Sequence, residues 1–289
     1  MDWARQGADW PHSAHSRMVM CKPHRWHLQE MGDGPLLLLI HGAGGATQSW
    51  RHLMPLLAQT FRVVAMDLPG QGFTRSGASQ RMGLVPMAQD IRGLLADQGW
   101  VPEVIVGHSA GAAIALEMAR SMDPAPPVIG LNAALGNFKG LAGVLFPLMA
   151  KMLAMTPWVA RFFTASAGNP QSVTRLIEGT GSHLPPEDLR WYRALISDEA
   201  HVDGTLAMMA QWDLAPLLRA LPAHPSKTLL IVGDGDKAVP PSTSRDVAAR
   251  MADARFLSLP GLGHLAHEED AQAVMDAMQD FFREIDVSD

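Results

Sequence analysis

Short apolar runs recur along the chain and alternate with stretches of helical periodicity. Residues 36–40 form a continuous apolar run just before Gly42, which is the pattern of a strand buried on both faces. Two segments of alternating character, 17–21 and 25–31, flank a turn and predict a β-hairpin. Further strands are predicted at 61–66, 103–106, 128–131, 228–232 and 255–259.

Helical periodicity fills most intervals between these strands, so a parallel, doubly wound sheet is predicted. The interval between the strands at 128–131 and 228–232 shows helical patterns only. We interpret residues 136–213 as an α-helical cap inserted into an α/β core made of residues 1–135 and 214–289. The core helices are predicted at 48–58, 86–98, 110–122, 242–252 and 269–285, and those of the inserted region at 141–154, 158–165, 185–196 and 201–218.

One serine lies between two glycines, directly after a predicted strand and before a predicted helix. Gly107-x-Ser109-x-Gly111 is the nucleophile-elbow pattern, in which the serine occupies a strained strand-to-helix turn. Glycines on both sides of the serine let the strand and the helix approach closely. Ser109 is therefore the predicted nucleophile. His108 must point away from the reacting side at such a turn, so we expect it to pack or to form a hydrogen bond.

A serine hydroxyl needs a base to take its proton, and the base needs a carboxylate to hold its tautomer. In hydrolases with this elbow the chain order is serine, acid, histidine. The strand at 228–232 runs into an acidic turn, where Asp236 is the predicted acid and Asp234 the alternative. After the last strand, His264 lies in a glycine-flanked loop and His267 at the start of the final helix. We predict His264 as the base.

An oxyanion hole requires two backbone N–H groups aimed at the developing negative charge. Ala110 directly follows the serine and is the first predicted donor. The second is expected in the loop after residues 36–40, which reads His41-Gly42-Ala43-Gly44-Gly45, and Ala43 is the predicted donor there. The absence of a Lys-Ser/Thr pair after these glycines excludes a phosphate-binding loop of the nucleotide type.

Charge and composition exclude several other classes of function. A net charge of −6 without a basic run argues against a nucleic-acid partner. Cys21 is the only cysteine, so no intrachain disulfide can form, and the first residues lack the apolar core of a secretory signal. We expect a cytoplasmic protein. His264 and His267 lack a third ligand at metal-binding spacing, and neither a metal nor another cofactor is predicted.

These motifs together resemble those of lid-bearing α/β hydrolases, a group that includes epoxide hydrolases and C–C hydrolases. The resemblance implies an eight-stranded sheet with an antiparallel second strand, a helical cap, and the triad of Ser109, Asp236 and His264. A serine at the elbow argues against the branches that use an aspartate nucleophile. Gln71 departs from the wider family, which commonly has histidine there. The resemblance rests on segments 41–45, 67–72, 107–111, 233–240 and 263–264, and on Trp50.

A narrower similarity is to the magnesium-chelatase accessory proteins of bacteriochlorophyll biosynthesis, which are themselves similar to α/β hydrolases. It rests on segments 1–3, 9–11, 25–27, 179–182 and 208–214. It implies a role near the tetrapyrrole pathway, with a tetrapyrrole as ligand and magnesium chelatase as partner. Two functions follow from the two resemblances: a serine hydrolase acting on a small apolar ester, thioester or C–C substrate, or a non-catalytic tetrapyrrole carrier for the chelatase.

A broad apolar ligand needs an extensive hydrophobic wall with a few polar groups that orient it. Many of the 18 methionines lie between residues 145 and 210, where the cap is predicted. The alternative is that these residues only join the cap to the sheet. The helix predicted at 141–154 has one charge, Lys151, and lacks the basic face of a membrane-surface helix, so no membrane contact is predicted. The candidate substrate-contacting residues are Gln48, His108, Phe146, Met149, Met152, Met155, Phe162, His201, Met208, Met209 and Trp212.

Overall fold

A computed structural model describes residues 1–136 and 170–286, and within them eight strands form one sheet. Their order across the sheet is β1-β2-β4-β3-β5-β6-β7-β8. β2 pairs antiparallel with β1 and β4, and the other neighbouring strands are parallel. The predicted mostly parallel sheet with an antiparallel second strand is confirmed. The strands are β1 (Ser16–Cys21), β2 (His24–Met31), β3 (Leu36–Ile40), β4 (Arg62–Met66), β5 (Val104–His108), β6 (Val128–Leu131), β7 (Thr228–Gly233) and β8 (Ala254–Leu259).

Helices cover both faces of the sheet. The α-helices of the described residues are α1 (Trp3–Gln6), α2 (Leu53–Leu57), α3 (Leu84–Gln98), α4 (Ala110–Ala119), α5 (Pro170–Gly179), α6 (Pro186–Ile196), α7 (Glu199–Ala210), α8 (Ala215–Ala220), α9 (Pro241–Ala248), α10 (Ala266–Glu269) and α11 (Ala271–Glu284). None of them is long and apolar enough to cross a membrane.

The sheet is buried on both faces because its central strands are apolar at every position. In β3, Leu38 and Ile40 join a hydrophobic cluster that includes residues of α3, α4 and α8. Leu37 and Leu39 point to the opposite face and join a second cluster with residues of α2 and α11. Successive side chains of a strand point to opposite faces, so one short apolar run builds both halves of the core.

The helix predicted at 201–218 is two helices, α7 and α8. Pro216 lies in the first turn of α8, where its missing N–H is tolerated, whereas inside a continuous helix it would remove a hydrogen bond. The Asp213 side chain accepts a hydrogen bond from the Ala215 amide at 2.9 Å and supports the new helix start. This break falls at the predicted end of the cap, residue 213.

Two other predicted helices are also interrupted. The segment 48–58 begins as a 3₁₀ turn, Thr47–Trp50, and α2 follows it. The segment 269–285 is divided at Asp270, whose carboxylate accepts a hydrogen bond from the Ala273 amide at 2.9 Å and caps α11. Local side-chain hydrogen bonds of this kind set helix ends that hydrophobic periodicity does not show.

The chain between β6 and β7, residues 132–227, is called the β6–β7 segment below. Its described parts, 132–136 and 170–227, contain helices α5 to α8 and no strand. Helix α5 was not predicted, while α6 lies within one residue of the helix predicted at 185–196. The helices predicted at 141–154 and 158–165 lie outside the described residues, and the cap boundaries at 136 and 213 stay predictions.

Candidate active site

Ser109 occupies the sharp corner between β5 and α4. Its φ of 52° and ψ of −115° lie in a region that side-chain-bearing residues rarely adopt. A Cβ built on Gly107 would lie 2.4 Å from the Gly111 carbonyl oxygen, and one on Gly111 would lie 2.0 Å from the Ile40 carbonyl oxygen. Both glycines are therefore required by close backbone approach, as the sequence pattern predicts.

A chain of hydrogen bonds joins the three side chains predicted as acid, base and nucleophile. His264 Nδ1 donates to Asp236 Oδ2 at 2.7 Å, and the Ser109 hydroxyl donates to His264 Nε2 at 3.1 Å. The Asp236 side chain is fully buried and that of His264 is 10% exposed. With Nδ1 as the donor, Nε2 has its lone pair directed at the serine.

Asp236, rather than the alternative Asp234, meets the imidazole. Asp236 Oδ1 also accepts hydrogen bonds from the Ala238 and Val239 amides, both at 2.8 Å. Asp234 accepts from the Gly261 amide at 2.7 Å and so joins the turns after β7 and β8. The sequence alone did not decide which of these two carboxylates is the acid, because both lie in one acidic turn at the end of β7.

Asn132 is a site residue that sequence reasoning missed. It follows β6 with a φ of +48°, and its Nδ2 donates to Asp236 Oδ2 at 2.8 Å and to the Gly263 carbonyl at 3.2 Å. One amide group therefore holds both the acid and the loop of the base. The sequence feature that could have identified Asn132 is its position at the carboxyl end of a parallel strand, where such sheets place functional side chains.

The loop after β3 lies directly against the serine. A Cβ on Gly42 would be 3.0 Å from the Ser109 Cβ, so this loop approaches as closely as a glycine backbone permits. Among residues 1–136 and 170–286, neither the Ala43 amide nor the Ala110 amide donates a hydrogen bond. The Ala110 amide also begins α4, and the N-terminal end of a helix favours negative charge.

His108 and His201 have their ring nitrogens directed at backbone groups. His108 Nε2 donates to the His264 carbonyl at 2.9 Å, which fits the expected hydrogen-bonding role. His201 Nε2 donates to the Gly44 carbonyl at 3.2 Å, and its Nδ1 accepts from the Gly72 amide at 2.9 Å. In this arrangement His201 has no ring nitrogen left to orient a substrate, because both are occupied by the chain itself.

Four buried histidines near the site, His41, His108, His201 and His267, have lowered pKa values. Burial is the main cause in each, since it disfavours the imidazolium. It lowers the pKa of His201 to about 4 and that of His267 to about 3, and the pKa of His108 falls well below its usual value. These rings are neutral near pH 7, so each offers one donor and one acceptor.

The other candidate substrate-contacting residues differ in position. Gln48 is fully buried, and neither amide atom has a hydrogen-bond partner in the described part of the chain. Met208 is buried in the core cluster that faces α3 and α4, and Trp212 packs partly against the same cluster. Met209 is half-buried. Phe146, Met149, Met152, Met155 and Phe162 lie outside the described residues.

A buried polar hub, which sequence reasoning also missed, joins α6 to the core beside the base. It consists of Ser49, Arg51, Asp188, Tyr192 and Glu268. Arg51 Nε and Nη2 contact the Asp188 carboxylate at 2.8 Å, and its Nη1 donates to Glu268. Glu268 also accepts from the Tyr192 hydroxyl and, at 2.7 Å, from the Ser49 hydroxyl. Glu268 lies in α10, the short helix that follows His264.

The hub pairs one buried guanidinium with two carboxylates. Burial opposes the charge of Arg51, but the Glu268 and Asp188 carboxylates outweigh it and raise the pKa of the guanidinium. Burial and the Glu268 charge together raise the pKa of Tyr192 well above its usual value. Tyr192 therefore stays protonated, and a hydrogen-bond donor, at neutral pH.

Residues 180–182, part of one segment behind the narrower family resemblance, lie against the loops of the acid and the base. The Thr180 carbonyl accepts from the Lys237 amide at 3.0 Å, and the Ser182 hydroxyl accepts from the Leu265 amide at 2.8 Å. Gly181 has a φ of +88°, and a Cβ there would lie 2.1 Å from the Gly235 carbonyl oxygen. Glycine is thus required for this segment to pass so close.

Metal binding finds no support in the described part of the chain. No group of three or more His, Cys, Asp or Glu side chains in residues 1–136 and 170–286 is arranged to hold a metal ion. The polar chemistry of this edge of the sheet is that of a hydroxyl, an imidazole, a carboxylate and free backbone amides.

Comparison with known proteins gives one family. A model of the alpha/beta hydrolase family matches residues 37–277. The magnesium-chelatase 30 kDa subunit of Rhodobacter capsulatus is 41% identical over 97% of this chain and 99% of its own length. A 2-hydroxy-6-oxo-6-phenylhexa-2,4-dienoate hydrolase of Burkholderia cepacia is 28% identical over 89% of this chain and 91% of its own.

Solved structures agree in fold. A thermophilic esterase from Thermogutta terrifontis superposes with a TM-score of 0.75 at 23% identity, covering 93% of this chain and 98% of its own. The epoxide hydrolase CorEH superposes with a TM-score of 0.76 at 20% identity, covering 93% of this chain and 99% of its own. The chain belongs to the alpha/beta hydrolase family and, within it, is a relative of the magnesium-chelatase 30 kDa subunit.

Proposed function

We propose that this protein is a serine hydrolase that cleaves a small apolar carbonyl substrate, an ester, thioester or C–C bond, in or near bacteriochlorophyll biosynthesis. The observation that carries the proposal is the unbroken chain of hydrogen bonds from Asp236 through His264 to Ser109. A serine hydroxyl without such a chain is a poor nucleophile at neutral pH. The strained elbow that presents Ser109 is a second support, because such strain concentrates at functional sites.

The reaction follows from the geometry. The Ser109 oxygen attacks the substrate carbonyl carbon while its proton moves to His264 Nε2. Asp236 holds the Nδ1–H and stabilises the imidazolium. When the tetrahedral intermediate collapses, the bond to the leaving group breaks and His264 returns the proton to that group. Water then attacks the acyl-enzyme with His264 again as base, which releases the acid and restores the serine.

The negative oxygen of each tetrahedral intermediate is stabilised by the amides of Ala43 and Ala110. Both lie next to the serine, one in the loop after β3 and one at the start of α4. Their N–H groups have no partner in the described residues, so they are available to an oxyanion. One such donor contributes roughly 10²–10³-fold to turnover in well-studied hydrolases.

The substrate class is proposed from the relative and from the residues around the site. Similarity to a magnesium-chelatase subunit supports association with the magnesium chelatase system, and a tetrapyrrole is the corresponding apolar ligand. Gln48, a buried amide without a hydrogen-bond partner among residues 1–136 and 170–286, is the proposed orienting group. Met209 and Trp212, with Phe146 and Met149 outside the described residues, are the proposed wall. A cytoplasmic location, without a nucleic-acid partner, remains part of the proposal.

A fluorophosphonate probe tests the nucleophile. We expect covalent labelling of the folded protein at Ser109, and none in Ser109→Ala, because only an activated serine reacts. On any accepted ester, Ser109→Ala is expected to lower kcat by at least ~10³-fold. A panel of aryl esters and tetrapyrrole methyl esters then identifies the leaving group. A folded wild-type protein that neither takes up the probe nor hydrolyses any ester contradicts the proposal.

A second candidate function is a non-catalytic tetrapyrrole carrier for magnesium chelatase. It is favoured by one observation, that the relative with 41% identity is named as a chelatase subunit and not as a hydrolase. Porphyrin titration of wild type and Ser109→Ala separates the two. Saturable binding by both proteins, together with a serine that resists the probe, supports the carrier. Absence of any saturable spectral change counts against the carrier and against a tetrapyrrole substrate.

A further inference from the structure

We propose that His201 is a positioning residue for the oxyanion hole, through which helix α7 of the β6–β7 segment holds the loop that carries the Ala43 amide. The inference rests on the proposed serine hydrolase function, since it assigns a role within that reaction. It makes part of the transition-state stabilisation depend on how the β6–β7 segment sits on the core. His201 itself does not contact the reacting atoms and acts through the loop backbone.

The ring of His201 bridges two core loops. Its Nε2 donates to the Gly44 carbonyl at 3.2 Å, and its Nδ1 accepts from the Gly72 amide at 2.9 Å. The residue is 2% exposed, so these hydrogen bonds form without competition from water. Only a neutral ring with its proton on Nε2 satisfies both partners, and burial keeps the ring neutral by lowering its pKa to about 4.

The other polar group of Gly44 is held as well. Its amide donates to Gln71 Oε1 at 2.8 Å, and Gln71 Nε2 donates to the sulfur of Met208 at 3.2 Å. Met208 belongs to α7, like His201. Gly44 is therefore held at its carbonyl directly, and at its amide through one intermediate, by a single helix of the β6–β7 segment.

Fixing Gly44 fixes the direction of the Ala43 amide. A peptide unit is planar and trans, so its N–H points opposite to its carbonyl. The Gly42 carbonyl, in the same peptide unit as the Ala43 N–H, accepts from His41 Nδ1 at 2.7 Å and from the Gly45 amide at 3.1 Å. The Gly45 amide is attached to the Gly44 carbonyl that His201 holds. Losing His201 frees that peptide, and with it one of the two hydrogen bonds that orient the donor.

Helix α7 packs tightly against the core at this point. A Cβ on Gly204 would lie 2.0 Å from the Gly70 carbonyl oxygen, so the helix and the 70–72 loop are in backbone contact. A Cβ on Gly44 would lie 3.6 Å from Thr205 Cγ2, an ordinary van der Waals distance. The helix thus supports the oxyanion loop by packing, and His201 adds direction to that support.

The test compares an oxoester with the matching thionoester. Sulfur accepts hydrogen bonds weakly, so the ratio of kcat/KM for the two esters measures the contribution of the oxyanion hole. For His201→Ala we expect kcat on the oxoester to fall about 10- to 100-fold with KM little changed, because small misplacements of a donor have effects of this size. The oxo/thiono ratio should fall by a similar factor.

Three further variants make the result specific. His201→Gln can still donate to Gly44 and is expected to recover part of the loss. Gln71→Leu removes the side-chain oxygen that accepts from the Gly44 amide, so it should also lower the oxo/thiono ratio. This variant provides a test if His201→Ala does not fold. Asp203→Asn, an exposed position on the same helix, is the matched control and should leave both esters unaffected.

Each outcome separates the two proposals. A wild type that is inert towards the fluorophosphonate and both esters overturns the hydrolase proposal and this inference together. An active wild type whose oxo/thiono ratio is unchanged in folded His201→Ala and Gln71→Leu overturns only the role of His201. Equal losses on both esters also contradict it, because they indicate general distortion and not a damaged oxyanion hole.

Discussion

The base side and the oxyanion side of the candidate site are held by different parts of the chain. On the base side, the hydrogen bonds to the acid and to the base carbonyl come from Asn132, Ala238, Val239 and His108, all at the carboxyl ends of β5, β6 and β7 or in the turns that follow. On the oxyanion side, Gly44 of the 41–45 loop is bonded to His201 of α7 directly and to Met208 of α7 through Gln71.

This difference separates two steps of the proposed reaction. The proton relay is held mainly at the carboxyl ends of β5, β6 and β7, with Thr180 and Ser182 against its loops, whereas the Gly44 peptide of the oxyanion loop is held by α7. A movement of α7 would leave the serine activated but its transition state poorly stabilised. The following experiments break or sharpen this contrast, beginning with the largest expected effect.

Asp236→Asn is expected to lower kcat about 10⁴-fold. The asparagine amide places a donor opposite His264 Nδ1 and favours the wrong imidazole tautomer, an effect of this size in a well-studied triad. Kinetics on an aryl ester measure it. Asp234→Asn is the matched control in the same turn and should retain near wild-type turnover. Comparable losses in both variants would mean that the turn, and not the acid, is being disrupted.

Arg51→Met is expected to reduce the free energy of unfolding by about 3–5 kcal/mol. It leaves Asp188 and Glu268 as buried carboxylates without their cation, the costly way to break a buried pair. Denaturant unfolding measures the change. Arg283→Met is the control, because the Arg283–Asp280 pair is exposed and contributes little. Similar stabilities of the two variants would show that the hub is not required for the fold.

Asn132→Ala is expected to lower kcat about 10-fold with KM unchanged, because Asp236 loses one hydrogen bond worth roughly 1.5 kcal/mol. Asn132→Asp places a second carboxyl group beside the acid. Two carboxyls at this distance share one proton, so the introduced group can still donate to Asp236, and turnover should partly recover relative to Asn132→Ala. Wild-type turnover in a folded Asn132→Ala would remove Asn132 from the base side.

The smallest expected effect concerns the pH dependence of stability, to which His201 on the oxyanion side and His267 on the base side both contribute. The folded pKa values of His201 and His267 lie below the unfolded value, so the unfolded chain binds more protons as the pH falls through about 6.5. Stability present above that pH is lost towards pH 4, at up to ~1.4 kcal/mol per pH unit for each histidine. His201→Gln should reduce this slope by one proton, measured by urea unfolding between pH 6 and 4.5. An unchanged slope contradicts a neutral, buried His201.

The sequence predicted the sheet and the base side because these depend on short, local patterns. Apolar runs mark β3 to β7, and Ser109 and His264 stand beside glycines that their turns require. Asp236 could not be separated from Asp234, since both occupy one turn and only the folded register after β7 shows which one faces the imidazole.

The oxyanion side could not be predicted in the same way. His201 meets Gly44 across 157 positions of sequence, and the contact depends on how α7 rests on the 70–72 loop. The sequence suggested His201 as a group that orients a ligand, whereas both of its ring nitrogens are bonded to the chain itself. Glu268 and Tyr192 were missed because a glutamate or a tyrosine in a predicted helix is usually assigned to the surface. Their contact forms only when the fold places α6 beside α10.

Tyr192 is the only tyrosine in the chain, so the protein contains a single phenol chromophore at the junction of α6 with the core. While α6 is seated, burial beside Glu268 suppresses phenolate formation. Lifting the helix into water would restore ordinary titration near pH 10. Ultraviolet absorbance of one unmodified side chain can therefore report, without a label, whether a ligand or a partner opens this junction.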